Sequence, residues 1–440
     1  MSTRGARRAR PRPGRRLEQG TKRVLLPLAC RLFAPRRAGP GIRLADARRV
    51  LLVRQDNRLG NLVLLSPFLQ ALRQAAPAAR IALLAGDRYS DILAGSPWID
   101  DLIVERKRWL IRHLYAYPPY VRALRRGRWD IAVELSNPDT HSFYNALLTV
   151  MSGAPLRVGF AHSRSRDALN RAVPQPQREC HYSLAPLLLL SALGVNPPIA
   201  PMRLSPALHA FALRSATDAG RPLVIHPGGR GDKRWPAARF RRLVQELAGI
   251  FPGRILLIGG PRDAALLENL QEAGRGRADS RVLHDVAALI SLLGSARMYV
   301  GCDTGPMHIA AALGLPTLAL FLTSHPLRYA PLGEPHETLL LGERSRAFAR
   351  QEDFPAAEQP PPADAAAWDP AFLARIAAQR PRLMPAPEGL DEAEEVRLVM
   401  ARAELMLARA GAAAEAPAAG PGILEAPSAV AQASDLLRQE

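Results

Sequence analysis

Apolar residues occur along this chain in two alternating patterns, short continuous runs and longer stretches with helical spacing. The first run, Arg49–Val53, is short and rich in branched side chains, which is typical of a buried strand. From Leu62 to Gln74 the apolar positions recur at the spacing of a helix, and Pro67 fits the early turns of that helix. Further apolar runs predict strands at residues 81–85, 99–104 and 131–135. This alternation of strands and helices predicts parallel βαβ units.

The same pattern starts again after a proline-rich passage at residues 197–206. Leu223–His226 predicts a strand that runs into a glycine turn, and Pro236–Gly249 predicts the helix that follows. Later elements are predicted as strands at residues 254–258, 296–301 and 317–321 and as helices at residues 287–293 and 390–411. We therefore divide the chain into a basic arm (1–47), a first Rossmann-like domain (48–205), a second Rossmann-like domain (206–345) and an Ala/Pro/Glu-rich tail with one or two helices (346–440).

The net charge of +19 is concentrated at the beginning of the chain. Residues 1–50 hold 15 Lys and Arg against 2 Asp and Glu, whereas the remaining 390 residues hold 44 against 38. Such an arm favours nucleic acid or an anionic membrane surface as a partner, but the Arg-rich composition of the whole chain explains it equally well. Residues 22–33 could lie on a membrane, although Pro27 argues against a regular helix there and the run is too short and too charged to span. We expect the arm to be flexible and residues 412–440 to be disordered.

The three cysteines, Cys30, Cys180 and Cys302, are far apart and predict neither a disulfide framework nor a metal site. A reducing, cytoplasmic setting is the default expectation for such a chain.

The segment Asp303–Gly314 follows an apolar run and opens an alanine-rich helix. Asp303, Thr304 and Gly305 lie at the strand-to-helix turn, where unpaired N–H groups and the helix dipole favour an anion, typically phosphate. The segment alone is equally compatible with a capped helix that binds nothing. If it binds, the ligand lies at the carboxyl end of a strand in an open sheet.

A second predicted strand end, His226–Pro236, combines paired glycines with two cations. Gly228 and Gly229 allow the backbone to approach a ligand closely. Lys233 and Arg234 precede a helix, and a cation there suits a diphosphate leaving group, whose charge grows as the bond breaks. A surface loop in an Arg-rich protein is the alternative.

Two further turns carry carboxylates. The loop Arg54–Asn61 follows the first strand, and its only carboxylate, Asp56, could act as a general base or be an ordinary turn residue. Asp263 follows two glycines and could bind ribose hydroxyls or cap a helix. No group of His, Cys, Asp and Glu has the sequence spacing of metal ligands.

Taken together, these segments resemble glycosyltransferase family 9, the lipopolysaccharide heptosyltransferases. The first strand and its loop run on to Ser66-Pro67, as in the family. His226-Pro227-Gly228 is followed by Lys233-Arg234-Trp235-Pro236, which matches the family's H-P-G and K-x-W-P segments. The family's last pattern, D-[ST]-G-P-x-H-x-A-A-A-x-G-x-P, is matched in full from Asp303 to Pro316. The basic arm and the tail lie outside the resemblance.

The resemblance implies a GT-B fold, with two Rossmann-like domains facing a central cleft and the nucleotide sugar bound mainly by the second. It implies inverting transfer, without a required metal or cofactor, of heptose from ADP-heptose to a lipid-linked saccharide such as lipopolysaccharide core. Lys233 would then stabilise the departing phosphates. Asp303, Thr304 and Gly305 would form the sugar and diphosphate cradle, with His308 close by. Other strand-end positions are grouped with this donor site: Gly60, His226, Gly228, Gly229 and Asp263.

The chain departs from the family at one position. The family usually has Asp after the loop glycine, as the presumed base, whereas this chain has Asn61. An amide cannot accept the proton at neutral pH. We therefore hypothesise that Asp56 is the base and that Asn61 positions the acceptor.

The leading interpretation is a glycosyltransferase at the inner face of the cytoplasmic membrane, with peripheral contact through the arm. The alternative is a catalytically weak or inactive nucleotide-sugar-binding protein, which Asn61 favours. A nicotinamide-dependent oxidoreductase ranks low because no Gly-x-Gly-x-x-Gly follows the first strand. A nucleic-acid-binding protein is suggested by the arm alone, since aromatic residues make up just 5% of the chain.

Overall fold

The computed structural model describes residues 26, 28–32, 41–140, 142–162, 168–176, 180–214, 220–350 and 369–415. Most of the arm lies outside these residues. Disorder was predicted for residues 412–440; residues 412–415 instead belong to the Glu392–Glu415 helix, and residues 416–440 lie outside the described residues.

Six parallel strands form the first sheet, in the order β3-β2-β1-β4-β5-β6. They are β1 (Arg49–Arg54), β2 (Arg80–Gly86), β3 (Asp101–Glu105), β4 (Ile131–Glu134), β5 (Leu156–Phe160) and β6 (Arg171–Val173). The helices of this half are Leu59–Val63, Ser66–Ala75, Lys107–Arg112, Tyr117–Arg126, Phe143–Met151 and Leu187–Ser191. Along β1, Val50 and Leu52 enter one apolar layer and Leu51 and Val53 the other, because successive side chains point to opposite faces. Burial on both faces explains why β1 is a continuous apolar run.

Seven parallel strands form the second sheet, in the order β13-β12-β11-β10-β7-β8-β9. They are β7 (Leu223–His226), β8 (Ile255–Gly259), β9 (Ala278–Val282), β10 (Met298–Cys302), β11 (Thr317–Phe321), β12 (Glu337–Leu340) and β13 (Leu383–Pro385). The helices of this half are Pro206–Arg214, Ala237–Ile250, Ala264–Ala273, Val286–Gly294, Gly305–Ala312, Pro326–Tyr329, Glu343–Arg350, Pro370–Ala378 and Glu392–Glu415. The strand order reverses between β1 and β4 in the first sheet and between β7 and β10 in the second. Ligands of open α/β sheets bind at such reversals, outside the carboxyl ends of the strands.

One predicted helix is divided in two. Instead of a single helix from Leu62 to Gln74, the structure has Leu59–Val63 and Ser66–Ala75. Pro67 has no N–H group to donate to the carbonyl of Val63, so the ladder of helical hydrogen bonds is interrupted there.

The elements after residue 345 extend the second α/β unit. β13 pairs with β12, and the Glu392–Glu415 helix packs against the Ala237–Ile250 helix. Val396, Val399 and Met406 are buried in the same apolar cluster as that helix. The compositional change after residue 345 therefore does not coincide with the end of the second sheet.

Part of the arm has regular structure. Residues 28–32 are helical, and Leu26 and Ala29 are buried against the Phe143–Met151 helix. The helix at residues 28–32 differs from the expectation of no regular helix in this run, and Pro27 itself lies outside the described residues. None of the helices in the described residues combines the length and apolar character needed to cross a bilayer.

Candidate active site

The two strand reversals face each other, and side chains from both halves meet there. In the second half, His226 is the last residue of β7, and Asp303 directly follows β10. The strands β7 and β10 are hydrogen-bonded neighbours in the sheet. The Gly305–Ala312 helix begins immediately afterwards, with Thr304 as its N-cap residue. The Thr304 side chain makes no capping bond to this helix, which leaves the first-turn N–H groups available to an anion.

Asp303 is the centre of a polar cluster. Its side chain is only 8% exposed, and its Oδ2 accepts hydrogen bonds from Lys233 Nζ (2.8 Å) and Ser324 Oγ (2.5 Å). The Nε2 of His308 lies 3.7 Å from the other oxygen. Burial alone would raise the pKa of Asp303, but the neighbouring His308 ring and Lys233 ammonium hold that pKa well below its usual range. The group is therefore a permanent carboxylate that fixes the lysine beside it.

Lys233 is held at this place by a buried tryptophan. Trp235 is fully buried, its backbone N–H points at Cys302 Sγ (3.3 Å), and its Nε1 donates to Glu395 Oε1 (2.5 Å). Arg239 pairs with the second oxygen of Glu395. The Lys-x-Trp-Pro segment thus uses its tryptophan as an anchor, and Lys233, 42% exposed, projects from the anchored loop into the cleft.

His226 is a buried, neutral imidazole. Burial lowers the pKa of His226 to about 4, and its Nδ1 lies 3.3 Å from Thr304 Oγ1. A Cβ atom at Gly228 would lie 2.6 Å from His226 Nε2, so only glycine fits over the ring. This contact accounts for the His-Pro-Gly pattern as packing that shapes the floor of the cleft.

The carboxylate of Asp263 is bound on both sides. One oxygen accepts from Arg234 Nη2 (2.7 Å), and the other accepts from the backbone N–H of Gly260 (3.2 Å). Asp263 is the N-cap residue of the Ala264–Ala273 helix, but its side chain makes no capping bond to that helix and instead closes the preceding turn at Gly260. Its predicted contact with ribose stays a prediction. Within the described residues, no three His, Cys, Asp or Glu side chains are grouped as metal ligands would be.

In the first half, Asp56 and Asn61 lie side by side. The Asn61 amide donates to Asp56 Oδ2, and the guanidinium of Arg54 lies 3.3 Å from the same oxygen. Arg54 is almost fully buried and donates to the backbone oxygen of Leu135 and to Asn137 Oδ1. The Asp56 carboxylate is therefore oriented by two contacts, one with the Arg54 guanidinium and one with the amide of Asn61.

The two halves touch at this point. A Cβ atom on Gly60 would lie 2.5 Å from His308 Cδ2, and a Cβ atom on Gly305 would lie 3.1 Å from the Leu59 side chain. The loop that carries Asp56 therefore packs directly on the first turn of the helix that follows Asp303. A second contact closes the cleft, where Arg328 Nη1 donates to Asp139 Oδ2 (2.7 Å).

Comparison with known proteins shows to which family the chain belongs. The sequence profile of glycosyltransferase family 9 (heptosyltransferase) matches residues 120–357, more than half of the chain. The chain belongs to glycosyltransferase family 9. It is therefore a glycosyltransferase, and the resemblance inferred from the sequence is confirmed.

Curated members of glycosyltransferase family 9 are distant relatives of this chain. The lipopolysaccharide heptosyltransferase 1 of Salmonella typhimurium is 24% identical over 290 residues, which cover 63% of this chain and 89% of the relative. The lipopolysaccharide heptosyltransferase 3 of Escherichia coli is 25% identical over 289 residues, which cover 62% and 83%.

Solved structures of glycosyltransferase family 9 share the fold. The family 9 enzyme from Veillonella parvula has a TM-score of 0.64 at 19% identity, and the match covers 84% of this chain and 99% of that one. The E. coli heptosyltransferase WaaC with ADP has a TM-score of 0.57 at 20% identity, and the match covers 69% of this chain and 98% of that one. The predicted GT-B architecture of two Rossmann-like domains is confirmed.

Three residues of this family 9 site were missed by the sequence analysis. Ser324 follows β11 and reaches Asp303, and Arg54 ends β1 and reaches Asp56. The third is Tyr329, whose ring centroid lies 5.6 Å from Lys233 Nζ. A polar residue at the end of β1, which borders a reversal, would have been the signal for Arg54, whereas Ser324 follows β11, which does not border one.

Proposed function

We propose that this protein is an inverting heptosyltransferase that transfers heptose from ADP-heptose to a lipopolysaccharide core or a related glycan acceptor. The observation that carries the proposal is the ion pair between buried Asp303 and partly exposed Lys233 at the first turn of the Gly305–Ala312 helix, opposite the Asp56 loop. A cation and a helix N-terminus on one side and a carboxylate on the other suit displacement of a diphosphate by a hydroxyl.

Lys233 is proposed to stabilise the departing diphosphate. When the bond between the sugar and the phosphate oxygen breaks, negative charge accumulates on that oxygen, and an ammonium group beside it lowers the barrier. Asp303 keeps the ammonium in place, and its second oxygen, 3.7 Å from His308 Nε2, is proposed to accept from a sugar hydroxyl. The N–H groups of the first helical turn complete the cradle.

Asp56 is proposed to accept the proton. The acceptor hydroxyl attacks the anomeric carbon, its proton passes to the Asp56 carboxylate, and the nucleoside diphosphate leaves from the opposite face. Attack opposite to the leaving group inverts the anomeric configuration. Asn61 donates to Asp56, so it orients the base and cannot replace it.

The identity of the donor rests on the relatives. The WaaC structure contains ADP, and a second E. coli structure, with a TM-score of 0.55 at 21% identity, is that of an ADP-heptose lipopolysaccharide heptosyltransferase II. The match covers 70% of this chain and all of that one. We carry ADP-heptose over to this chain because it has the family's complete Asp303–Pro316 pattern.

A peripheral membrane contact is proposed for the first half of the chain. The basic Lys107–Arg112 helix exposes Trp109, and the Tyr117–Arg126 helix ends in two arginines. Arginines with an exposed aromatic ring suit an anionic lipid surface. Flotation on phosphatidylglycerol vesicles, with and without residues 1–25, measures how much the arm contributes to lipid binding. Equal flotation would show that residues 1–25 are not needed for this contact.

The decisive experiment combines binding with stereochemistry. We expect ADP to bind without added metal and Lys233→Ala to weaken that binding and to reduce kcat by about 10²–10³. Arg281→Ala, an exposed charge on the edge strand β9, is the matched control and should leave both unchanged. Proton NMR of the first product should show the inverted anomer.

The outcomes separate the candidates. Retention of configuration would refute the inverting mechanism. Tight ADP binding without transfer to any saccharide would instead favour the nucleotide-sugar-binding protein that Asn61 suggests.

A further inference from the structure

A cavity of about 1050 Å³ lies at the edge of the second sheet opposite to the donor site. Its wall includes residues within two positions of the start of a strand, namely Arg221 before β7, Arg297 before β10 and Pro316 before β11. These are the amino-terminal ends of the strands, whereas Asp303 lies beyond a carboxyl end. A five-residue strand is roughly 17 Å long, so the cavity and the donor cleft are separate.

The charged lining of this cavity is predominantly cationic. Among the residues that the structure describes, it comprises four arginines and two glutamates: Arg221, Arg297, Arg382, Arg409, Glu334 and Glu337. Glu334 is largely exposed and reaches Arg382 only at 3.9 Å. The cavity therefore carries a surplus of positive charge with a single buried carboxylate.

That buried carboxylate holds three guanidinium groups at once. Glu337 is 2% exposed and pairs with Arg382 (3.1 Å), Arg402 (2.8 Å) and Arg409 (3.0 Å). One carboxylate neutralises one of these three charges. Arg382 and Arg409 are about half exposed, so part of each planar N–H fork faces the cavity. Their orientation is set in advance, which reduces the entropy lost when they bind an anion.

The two remaining arginines are not engaged by a carboxylate. Across the ranges that the structure covers, neither Arg221 nor Arg297 forms an ion pair with an acidic side chain. They precede two adjacent strands, because Met298 of β10 is in register with Leu223 of β7. Two neighbouring unpaired guanidinium groups on one wall of a cavity suit a ligand with two negative charges.

The lining also includes apolar side chains. They are Leu213, Leu293, Leu313 and Met406, and Leu213 is 56% exposed. A ligand that fills the cavity therefore meets aliphatic side chains as well as cations.

We propose that this cavity is a second anion site, which binds an organic phosphate with at least two negative charges and an apolar portion. The ligand is of the size of a nucleotide or of a phospholipid head with the beginning of its chains. The proposal does not depend on the donor or acceptor of the transfer reaction, because no residue of the cavity contributes to the donor cleft.

The test uses calorimetric titration of the full chain with pyrophosphate and with ADP, and flotation on phosphatidylglycerol vesicles. The pocket variant is Arg221→Ser/Arg297→Ser; both side chains are exposed, and neither change leaves the buried Glu337 unpaired. The matched control is Arg241→Ser/Arg281→Ser, which removes the same charge from positions outside the cavity. Lys233→Ala marks the donor site.

We expect a second class of site for pyrophosphate or ADP that persists in Lys233→Ala, weakens with salt, and loses about tenfold or more in affinity in the pocket variant only. Flotation lost in the pocket variant only would support a lipid as the source of the phosphate. The proposal is overturned if the pocket variant and the control behave alike in both assays. It is also overturned if a single site is found and Lys233→Ala removes it.

Discussion

Gly60→Ala tests the contact between the two halves of the active site. An ideal Cβ at this position lies 2.5 Å from His308 Cδ2, whereas carbon atoms in contact prefer about 3.5–4.0 Å. The Asp56 loop and the Gly305–Ala312 helix must therefore separate by roughly 1 Å, and overpacking of this kind costs about 1–3 kcal/mol. Because the two segments belong to different halves, the cleft can relieve the overlap by opening, and neither half needs to unfold.

The expected result is a loss of transfer without a loss of stability. If the closed arrangement is the reactive one, a penalty of about 1–3 kcal/mol lowers kcat/KM roughly 5- to 150-fold. The assay is kcat/KM for heptose transfer, with the Tm and the affinity for ADP measured on the same protein. Gly249→Ala is the matched control, since a Cβ there meets nothing within 4 Å. Full kcat/KM in Gly60→Ala at an unchanged Tm would refute the reasoning that this contact forms during transfer.

Three further predictions concern other parts of the molecule. Asn61→Asp places a second carboxylate against Asp56, so the pair must share a proton. On the acidic side of the pH profile, kcat/KM should therefore begin to fall at a higher pH than in the wild type. An unchanged profile would mean that the two side chains do not meet at the reacting centre. Trp235→Phe removes the hydrogen bond to Glu395 and should lower the free energy of unfolding by about 1–3 kcal/mol. It should also weaken ADP binding; thermal melts measure the first effect and calorimetry the second. A stable variant with normal ADP affinity would contradict the anchoring role. Burial raises the pKa of Glu105 to about 7, above its unfolded value, so this residue stabilises the fold fully below the unfolded pKa, and that contribution is lost as the pH rises toward about 7. Glu105→Gln should flatten the pH dependence of stability across that interval in urea titrations, and a slope equal to that of the wild type would disprove the assignment.

The periodicity of apolar residues predicted the fold well, because both sheets are parallel and buried on two faces. Runs such as Arg49–Val53 and Leu223–His226 are strands within a residue or two of the prediction. The strand ends also predicted where His226 and Asp303 lie, since the carboxyl ends of parallel strands meet at one edge. Breaks within an element were harder to predict. The helix predicted from Leu62 to Gln74 is divided in two, because Pro67 has no N–H group to donate.

The partners of the site residues could not be predicted from the sequence. Ser324 lies 21 residues from Asp303 and Glu395 lies 160 residues from Trp235, so neither pair shares a helix face or a strand register. Sequence spacing carries information about neighbours on one element, whereas these contacts depend on how separate elements pack. The composition after residue 345 even pointed away from Glu395, because an Ala/Glu-rich stretch resembles a solvated tail.

The bond between Trp235 and Glu395 also has a consequence for the order in which the enzyme is made. During synthesis the first sheet is complete once β6 has left the ribosome, and domains generally fold as units in that order. The loop of Lys233 emerges about 160 residues before the glutamate that fixes its tryptophan. The nascent chain therefore presents Lys233 for a long interval before the glutamate that anchors its loop is available. A chain released before the Glu392–Glu415 helix is made would lack Glu395, so the donor site that we propose would have an unanchored lysine loop.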